Sequence, residues 1–210
     1  MIVIGLVGEK GSGKETFSKF LKEMVAEEDL AHIRFSDILK DTLEAWDLPT
    51  TRENMQHLAV IMNQGFGEGT LTHAVYQRIS KLKKKIIILD GVRWKTDVEL
   101  LERFKNHTLI YITADLESRY KRLKKRAEKS GEDRSSMEQF LKEEKAPNEL
   151  LIQEIGAQAE VKIENNGTLN ELRRQVENFY QNCHSGLDLL ASSAYPESSK
   201  VRLNNKRGRS

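Results

Sequence analysis

Three glycines fall within the six-residue turn Gly8-Glu9-Lys10-Gly11-Ser12-Gly13, which joins an apolar run over 1–7 to an amphipathic segment opening at Lys14. A strand that turns this tightly into a helix leaves backbone N–H groups pointing at one spot, and those groups form an anion site at the helix N-terminus. Glycines let the main chain wrap a phosphate with no Cβ in the way. Lys14 adds a mobile cation for the outer phosphates, and the order strand, turn, helix is the setting such a turn requires. Gly8, Gly11, Ser12, Gly13, Lys14, Glu15 and Thr16 are therefore expected to bind the phosphates of a nucleoside triphosphate, ATP, with Mg²⁺.

The residue after the lysine is usually Ser or Thr, which holds Mg²⁺. Here Glu15 takes that place and Thr16 follows. Glu15 either favours the helix N-terminus electrostatically or orders a magnesium-bound water. Asp90, Glu15 and Thr16 are the metal candidates, acting mostly through water.

The rest of the chain has the rhythm of an α/β fold. Apolar, β-branched runs at 2–7, 32–35, 86–89, 108–113 and 161–163 suit strands buried on both faces of a parallel sheet. Helical patterns fill 14–28, 37–46, 54–62, 71–83, 98–104, 116–129, 137–144, 149–155 and 169–179. Strands alternating with helices imply right-handed crossovers. Two stretches interrupt the alternation. Residues 49–85 hold two helices with no strand between them, linked by a glycine-rich stretch read as a helix–helix turn. Residues 126–147 are polar and highly charged, as a lid would be.

Length and composition set limits. The 210 residues suit one domain with a sizeable core, 1–183, and no apolar run reaches the roughly 18 residues of a membrane span. The N-terminus runs straight into the first strand without a secretory signal, and Cys183 is the only cysteine, so no intrachain disulfide forms. Both point to the cytoplasm. The net charge of +2 is unevenly spread: residues 184–210 carry five Lys/Arg against two Asp/Glu, so the body sums to −1. A near-neutral body gives no footprint for nucleic acid, whereas the basic tail could supply one; that tail is expected to be largely disordered. The five histidines share no metal-ligand spacing.

Further candidates lie at strand ends. Asp90-Gly91-Val92-Arg93 closes an apolar run, placing an acid where a magnesium shell is held and an arginine one turn later for a phosphate. The alternative is a helix-capping Asp90 and a surface Arg93. Ser36-Asp37 ends the second strand, where either residue can cap the helix and also face the acceptor, the two roles being compatible, and Arg52 is a weaker acceptor candidate. Arg119, Arg122 and Arg126 recur at helical spacing and either clamp the transferring group or form a solvated face; Arg134 joins them from the insertion. Asn165-Asn166-Gly167 ends the last strand with a turn that calls for a left-handed residue, and Asn165 is placed to meet a purine base.

In their order along 1–180 these motifs resemble the P-loop nucleotide kinases. The nearest likeness is to archaeal and bacterial proteins described as adenylate-kinase-like or dephospho-CoA-kinase-like ATPases. Thr51-Arg52-Glu53-Asn54, Arg122-Leu123-Lys124-Lys125-Arg126 and Glu164-Asn165-Asn166-Gly167-Thr168-Leu169 suit that group. The resemblance implies a three-layer α/β/α sandwich whose five parallel strands run in the order 2-3-1-4-5, a helical acceptor insertion around 36–85, and a lid around 126–148. Asp-Gly-Val-Arg departs from the Asp-Gly-Phe-Pro-Arg of adenylate kinases, which leaves the acceptor open.

Three functions follow as expectations. The first is an ATP-dependent kinase for a small nucleotide, with Lys14, Asp90, Arg93, Arg122 and Arg126 catalytic and Arg119 and Asn165 at the bound nucleotide. The second is a dephospho-CoA-type kinase, in which Asp37 is the base for a ribose hydroxyl. The third is an ATP-binding regulatory module with an RNA or protein partner. Monomer and homodimer both remain open.

Overall fold

Strand β1 (Ile2–Val7) is the axis of the sheet, and its alternation explains the layers. Val3 and Val7 point to one face, while Ile4 and Leu6 point to the other, and all four are fully buried or nearly so. In the computed structural model, which describes residues 1–130, 136–145 and 149–193, the remaining strands are β2 (Leu30–Arg34), β3 (Ile86–Asp90), β4 (His107–Thr113) and β5 (Val161–Glu164). They form one parallel sheet in the order β2-β3-β1-β4-β5, the expected architecture.

Helices α1 (Lys14–Met24) and α9 (Leu169–Ser193) cover one face. Phe17, Phe20 and Leu21 of the first meet Leu172, Val176 and Phe179 of the second over Ile4 and Leu6. Helices α4 (Thr70–Ser80), α5 (Lys95–Glu102) and α8 (Ile152–Gly156) cover the other with Val75, Ile79, Leu100, Leu101, Ile152 and Ile155. Burying these side chains contributes roughly 1.5–3 kcal/mol each. Between β2 and β3, helices α2 (Phe35–Ala45), α3 (Arg52–Phe66) and α4 form the insertion, whose own small core comprises Leu39, Leu43 and Leu58. The α3–α4 link is the expected turn, with Gly67 and Gly69 at positive φ. Helices α6 (Leu116–Ser130) and α7 (Met137–Glu144) follow β4.

Several boundaries differ from the sequence reading. The second strand spans Leu30–Arg34 rather than 32–35, because α2 starts at Phe35, where Asp37 caps the backbone N–H of Arg34. The last helix does not stop at 179: α9 continues to Ser193, with Phe179 buried and Tyr180 and Cys183 packed beside it. Residues 194–210 of the expected disordered tail lie outside the described residues, as does Arg134 of the expected lid. Neither Asn166 nor Gly167 takes the left-handed conformation expected of their turn. Side-chain bonding shapes it instead, with Asn166 Oδ1 accepting from the Asp115 N–H at 2.7 Å. No helix among the described residues is long and apolar enough to cross a membrane.

Candidate active site at the carboxyl end of the sheet

Parallel strands all deliver their C-termini to one edge, so residues far apart in sequence meet there. A cleft of about 990 Å³ opens at that edge. The turn after β1 and the start of α1 form one wall through Gly11, Gly13, Lys14, Glu15 and Thr16. Arg34, Phe35 and Ser36 after β2, and Asp90, Gly91, Arg93, Trp94 and Asp97 after β3, form the opposite wall. Arg122 and Arg126 of α6 and Asn165 after β5 close the remaining side.

The glycine turn is held by its neighbours. Gly13 caps α1 at φ 113°, and a Cβ there would stand 2.3 Å from Asn165 Nδ2. That amide donates to the Ser12 carbonyl at 2.8 Å, and Arg122 Nη2 donates to the Asn165 carbonyl at 2.7 Å. Asn165 therefore supports the turn from behind while also reaching the cleft. Ser12 is wholly buried, and its Oγ has no hydrogen-bond partner. The Lys14 ammonium folds back onto the carbonyls of Gly8 (2.6 Å) and Glu9 (3.1 Å). Burial pulls its pKa below the usual lysine range and Arg93 adds to this, against the opposing pull of Asp90, Glu149 and Glu9.

Asp90 sits directly beside this turn because β3 pairs with β1 in the register Leu6↔Asp90. Strand β2 pairs on the other side in the register Arg34↔Asp90. The alternation of β2 then brings His32 and Arg34, two residues apart, to the same carboxylate: His32 Nε2 lies 3.3 Å and Arg34 Nε 3.5 Å from Asp90 Oδ2. Burial on its own would raise the Asp90 pKa. The His32 hydrogen bond, Lys14 and Arg34 outweigh it and hold the carboxyl below its ordinary value, so Asp90 is ionised at neutral pH.

Two carboxylates without an assigned role in the sequence reading join the cluster. Glu149, just before α8, pairs with Arg93 Nη1 at 3.2 Å. Asp97, in the first turn of α5, accepts from the backbone N–H groups of Arg93 (2.9 Å) and Trp94 (3.0 Å) through one oxygen. The spacing Arg93-x-x-x-Asp97 after a strand was a capping signal available in the sequence. The approach of Glu149, 56 residues from Arg93, had none.

The other sequence candidates divide. Glu15 faces the cleft between two cations, with Arg126 Nη1 2.8 Å from one oxygen and Arg34 Nη2 3.9 Å from the other. Asp37 does not line the cleft; its Oδ2 accepts from the Arg34 N–H at 2.7 Å. Arg119 does not line it either. It is 5% exposed, its Nε donates to the Ala114 carbonyl, its Nη1 to the Lys10 carbonyl, and its Nη2 pairs with Glu144 of α7 at 2.7 Å. Arg119 thus braces the glycine turn against α7 rather than facing the cleft as expected. Arg119→Met is expected to lower stability by about 3 kcal/mol, because it strands Glu144 in a largely buried place; urea denaturation would measure this. Gly8 and Ser12 lie behind the cleft surface, and the Arg52 side chain lies outside the described residues.

A family model described as an AAA domain matches residues 7–141, from the end of β1 through the glycine turn and into α7. The chain belongs to this AAA-domain family. Among curated proteins, this AAA-domain chain is similar to the UPF0200 protein of Pyrococcus horikoshii, 26% identical over 181 residues that cover 84% of this chain and 94% of the relative. The UPF0200 protein of Methanocaldococcus jannaschii is 25% identical over 190 residues, covering 90% and 93%. Among solved structures, TT1252 from Thermus thermophilus superposes with a TM-score of 0.56 at 19% identity, covering 86% of this chain and 97% of that one. Shikimate kinase from Acinetobacter baumannii, in complex with shikimate, gives 0.51 at 18% identity, covering 88% and 93%. The AAA-domain chain therefore has the P-loop kinase fold, with the sheet order the family resemblance implied.

Proposed function

We propose that the protein is an ATP-dependent phosphotransferase that moves the γ-phosphoryl group to a small nucleotide of the monophosphate type. The observation that carries this reading is the convergence, in one cleft, of the glycine turn with Lys14, the ionised Asp90, and the arginines Arg34, Arg93, Arg122 and Arg126. The residues present fit a triphosphate: Gly11, Gly13 and Lys14 of the tight turn line the cleft, and Gly13 leaves room for the Asn165 amide that holds the turn from behind. They also fit Mg²⁺, which usually keeps most of its waters and takes one or two carboxylates plus substrate phosphates. No group of three or more potential ligands stands together among the described residues, so a full protein cage is not on offer. Asp90 would hold the ion's water shell, with Thr16 nearby; Glu15 is engaged by Arg126 and contributes less. Bound there, the ion would neutralise charge developing on the phosphates.

The division of labour follows from placement. Gly11, Gly13 and Lys14 hold the donor phosphates, and Asn165 and Arg122 fix the turn that presents them. Arg93 and Arg34, on the opposite wall, take the acceptor phosphate, with Arg93 exchanging Glu149 for it. Arg126, exposed on α6, leaves Glu15 to neutralise the transferring group. A phosphate acceptor is already an oxyanion and needs no base, so catalysis consists of positioning, electrostatics and exclusion of water. Helices α2–α4 would serve as the acceptor insertion, and α6–α7 would carry the lid.

The second reading, a ribose-hydroxyl acceptor, requires a base, and Asp37 is its candidate. The bond from the Arg34 N–H to Asp37 Oδ2 favours a capping role and hence the phosphate acceptor. Asp37→Asn is expected to change turnover less than about fivefold, because an asparagine oxygen still caps the helix. A collapse in kcat at constant KM would instead favour the hydroxyl acceptor. The decisive assay is ADP release above the acceptor-free background across nucleoside monophosphates, deoxynucleotides and dephospho-CoA.

A further inference from the structure

The wall opposite the glycine turn has a composition that narrows the acceptor. Phe35, Leu71 and Trp94 supply apolar surface, Arg34 and Arg93 supply cations, and beside Asp90, which His32 and Arg34 already engage, Asp97 supplies a second, buried carboxylate. Asp97 is only 4% exposed. Its Oδ2 is saturated by the Arg93 and Trp94 N–H groups, which fixes the carboxyl plane. Its Oδ1 makes no hydrogen bond, yet it is not sealed in the interior, and the residue forms part of the cleft wall. A fixed, largely desolvated acceptor oxygen of this kind penalises any ligand that fails to offer it a donor.

Resting on the phosphotransferase reading above, we propose that Asp97 determines acceptor specificity: its Oδ1 receives a hydrogen bond from the exocyclic amino group of an amino-bearing nucleobase lying by Trp94, and it rejects the corresponding oxo base. Three observations favour this role over a catalytic one. Asp97 bonds the Arg93 and Trp94 backbone N–H groups, and no hydrogen bond joins it to the glycine turn or to Lys14, so it belongs to the wall opposite the donor phosphates. Trp94 is 43% exposed and lines the same wall, so its indole offers flat apolar surface to a ligand there. Burial lifts the Asp97 pKa to about 6, against the pull of its two backbone bonds and Arg93, so at pH 7.5 it is still the anion that accepts and never donates. An oxo group in the same place would set oxygen against oxygen.

The test uses matched monophosphates that differ in this group: cytidine against uridine, adenosine against inosine, and guanosine against xanthosine. Each is scored for kcat/KM with ATP and, without ATP, for equilibrium binding by calorimetry. In the wild type, at least one amino-bearing member is expected to exceed its oxo partner by on the order of a hundredfold, with the difference in KM and Kd. Asp97→Asn keeps an oxygen for the helix cap but turns an amide donor toward the cleft, so the preference in that pair is expected to invert. Asp97→Ser keeps a shorter cap and offers no oxygen at that reach, so it is expected to erase the preference without inversion. Equal use or binding of both members by the wild type, or a uniform loss for all acceptors in both variants, overturns the assignment and leaves Asp97 a helix cap. If no monophosphate is phosphorylated while binding shows the preference and its inversion, the phosphotransferase reading fails and the assignment of Asp97 stands.

Discussion

Lys14→Ala is expected to reduce kcat/KM for ATP by about a thousandfold or more, the scale at which losing a preorganised cation at a transferring phosphoryl group is felt. Lys14 is the cation that emerges from the glycine turn, and its ammonium is parked on the Gly8 and Glu9 carbonyls. Those contacts are what a bound triphosphate would replace. The unliganded fold should barely respond, with a change of about 1 kcal/mol, because the buried ammonium is already disfavoured, as its lowered pKa records. ATP at about 100 times its Kd should stabilise the wild type by about 2.7 kcal/mol, and most of that gain should vanish in the variant. Thermal melts with and without ATP, run beside the kinetics, make the comparison. A variant that kept both turnover and the ATP-induced rise in Tm would remove the glycine turn as the triphosphate site.

Gly8→Ala should be the most damaging single change to stability at the site. A Cβ there would stand 2.1 Å from the Ile112 carbonyl oxygen and 2.8 Å from Ser12 Oγ. The first obstacle is backbone in the neighbouring strand β4, which cannot retreat without parting it from β1. The expected loss is about 3 kcal/mol or more, or roughly 6–12 °C in Tm for a domain of this size. Gly91→Ala is the control. Gly91 also has positive φ, at 92°, but nothing lies within 4 Å of its would-be Cβ. That variant pays only backbone strain of about 1 kcal/mol. Similar losses for the two variants would mean that crowding against β4 does not govern Gly8.

The parts of the site that were legible in the sequence are those built from neighbours in the chain. The strand–turn–helix around Gly8 to Thr16 reads directly, because glycine spacing and the helical period are local properties. Asp90 and Arg93 read as a pair at a strand end for the same reason. Arg119, Arg122 and Arg126 were a weaker case. Their spacing places them along one helix, yet it did not separate Arg119, which is buried against Glu144 and Phe140, from Arg122 and Arg126, which reach the cleft. Burial depends on what packs against a helix, and α7 arrives from elsewhere in the chain. The turn at Asn165 shows the same limit: a propensity for left-handed residues yielded to side-chain hydrogen bonds with Asp115 and Ser12.

The sequence alone determined the alternating α/β order, the parallel sheet it implies, the glycine turn with its lysine, and the two strand-end clusters, because apolar periodicity and glycine placement act over a few residues. Tertiary structure decided which charges share the cleft. Sheet register set His32 and Arg34 on Asp90, the return of the chain after α7 put Glu149 on Arg93, and the capping turn of α5 drew both of its backbone bonds to one Asp97 oxygen. Electrostatic partnership depends on distances of a few ångströms between residues separated by dozens of positions, and such distances exist only once the strands have paired.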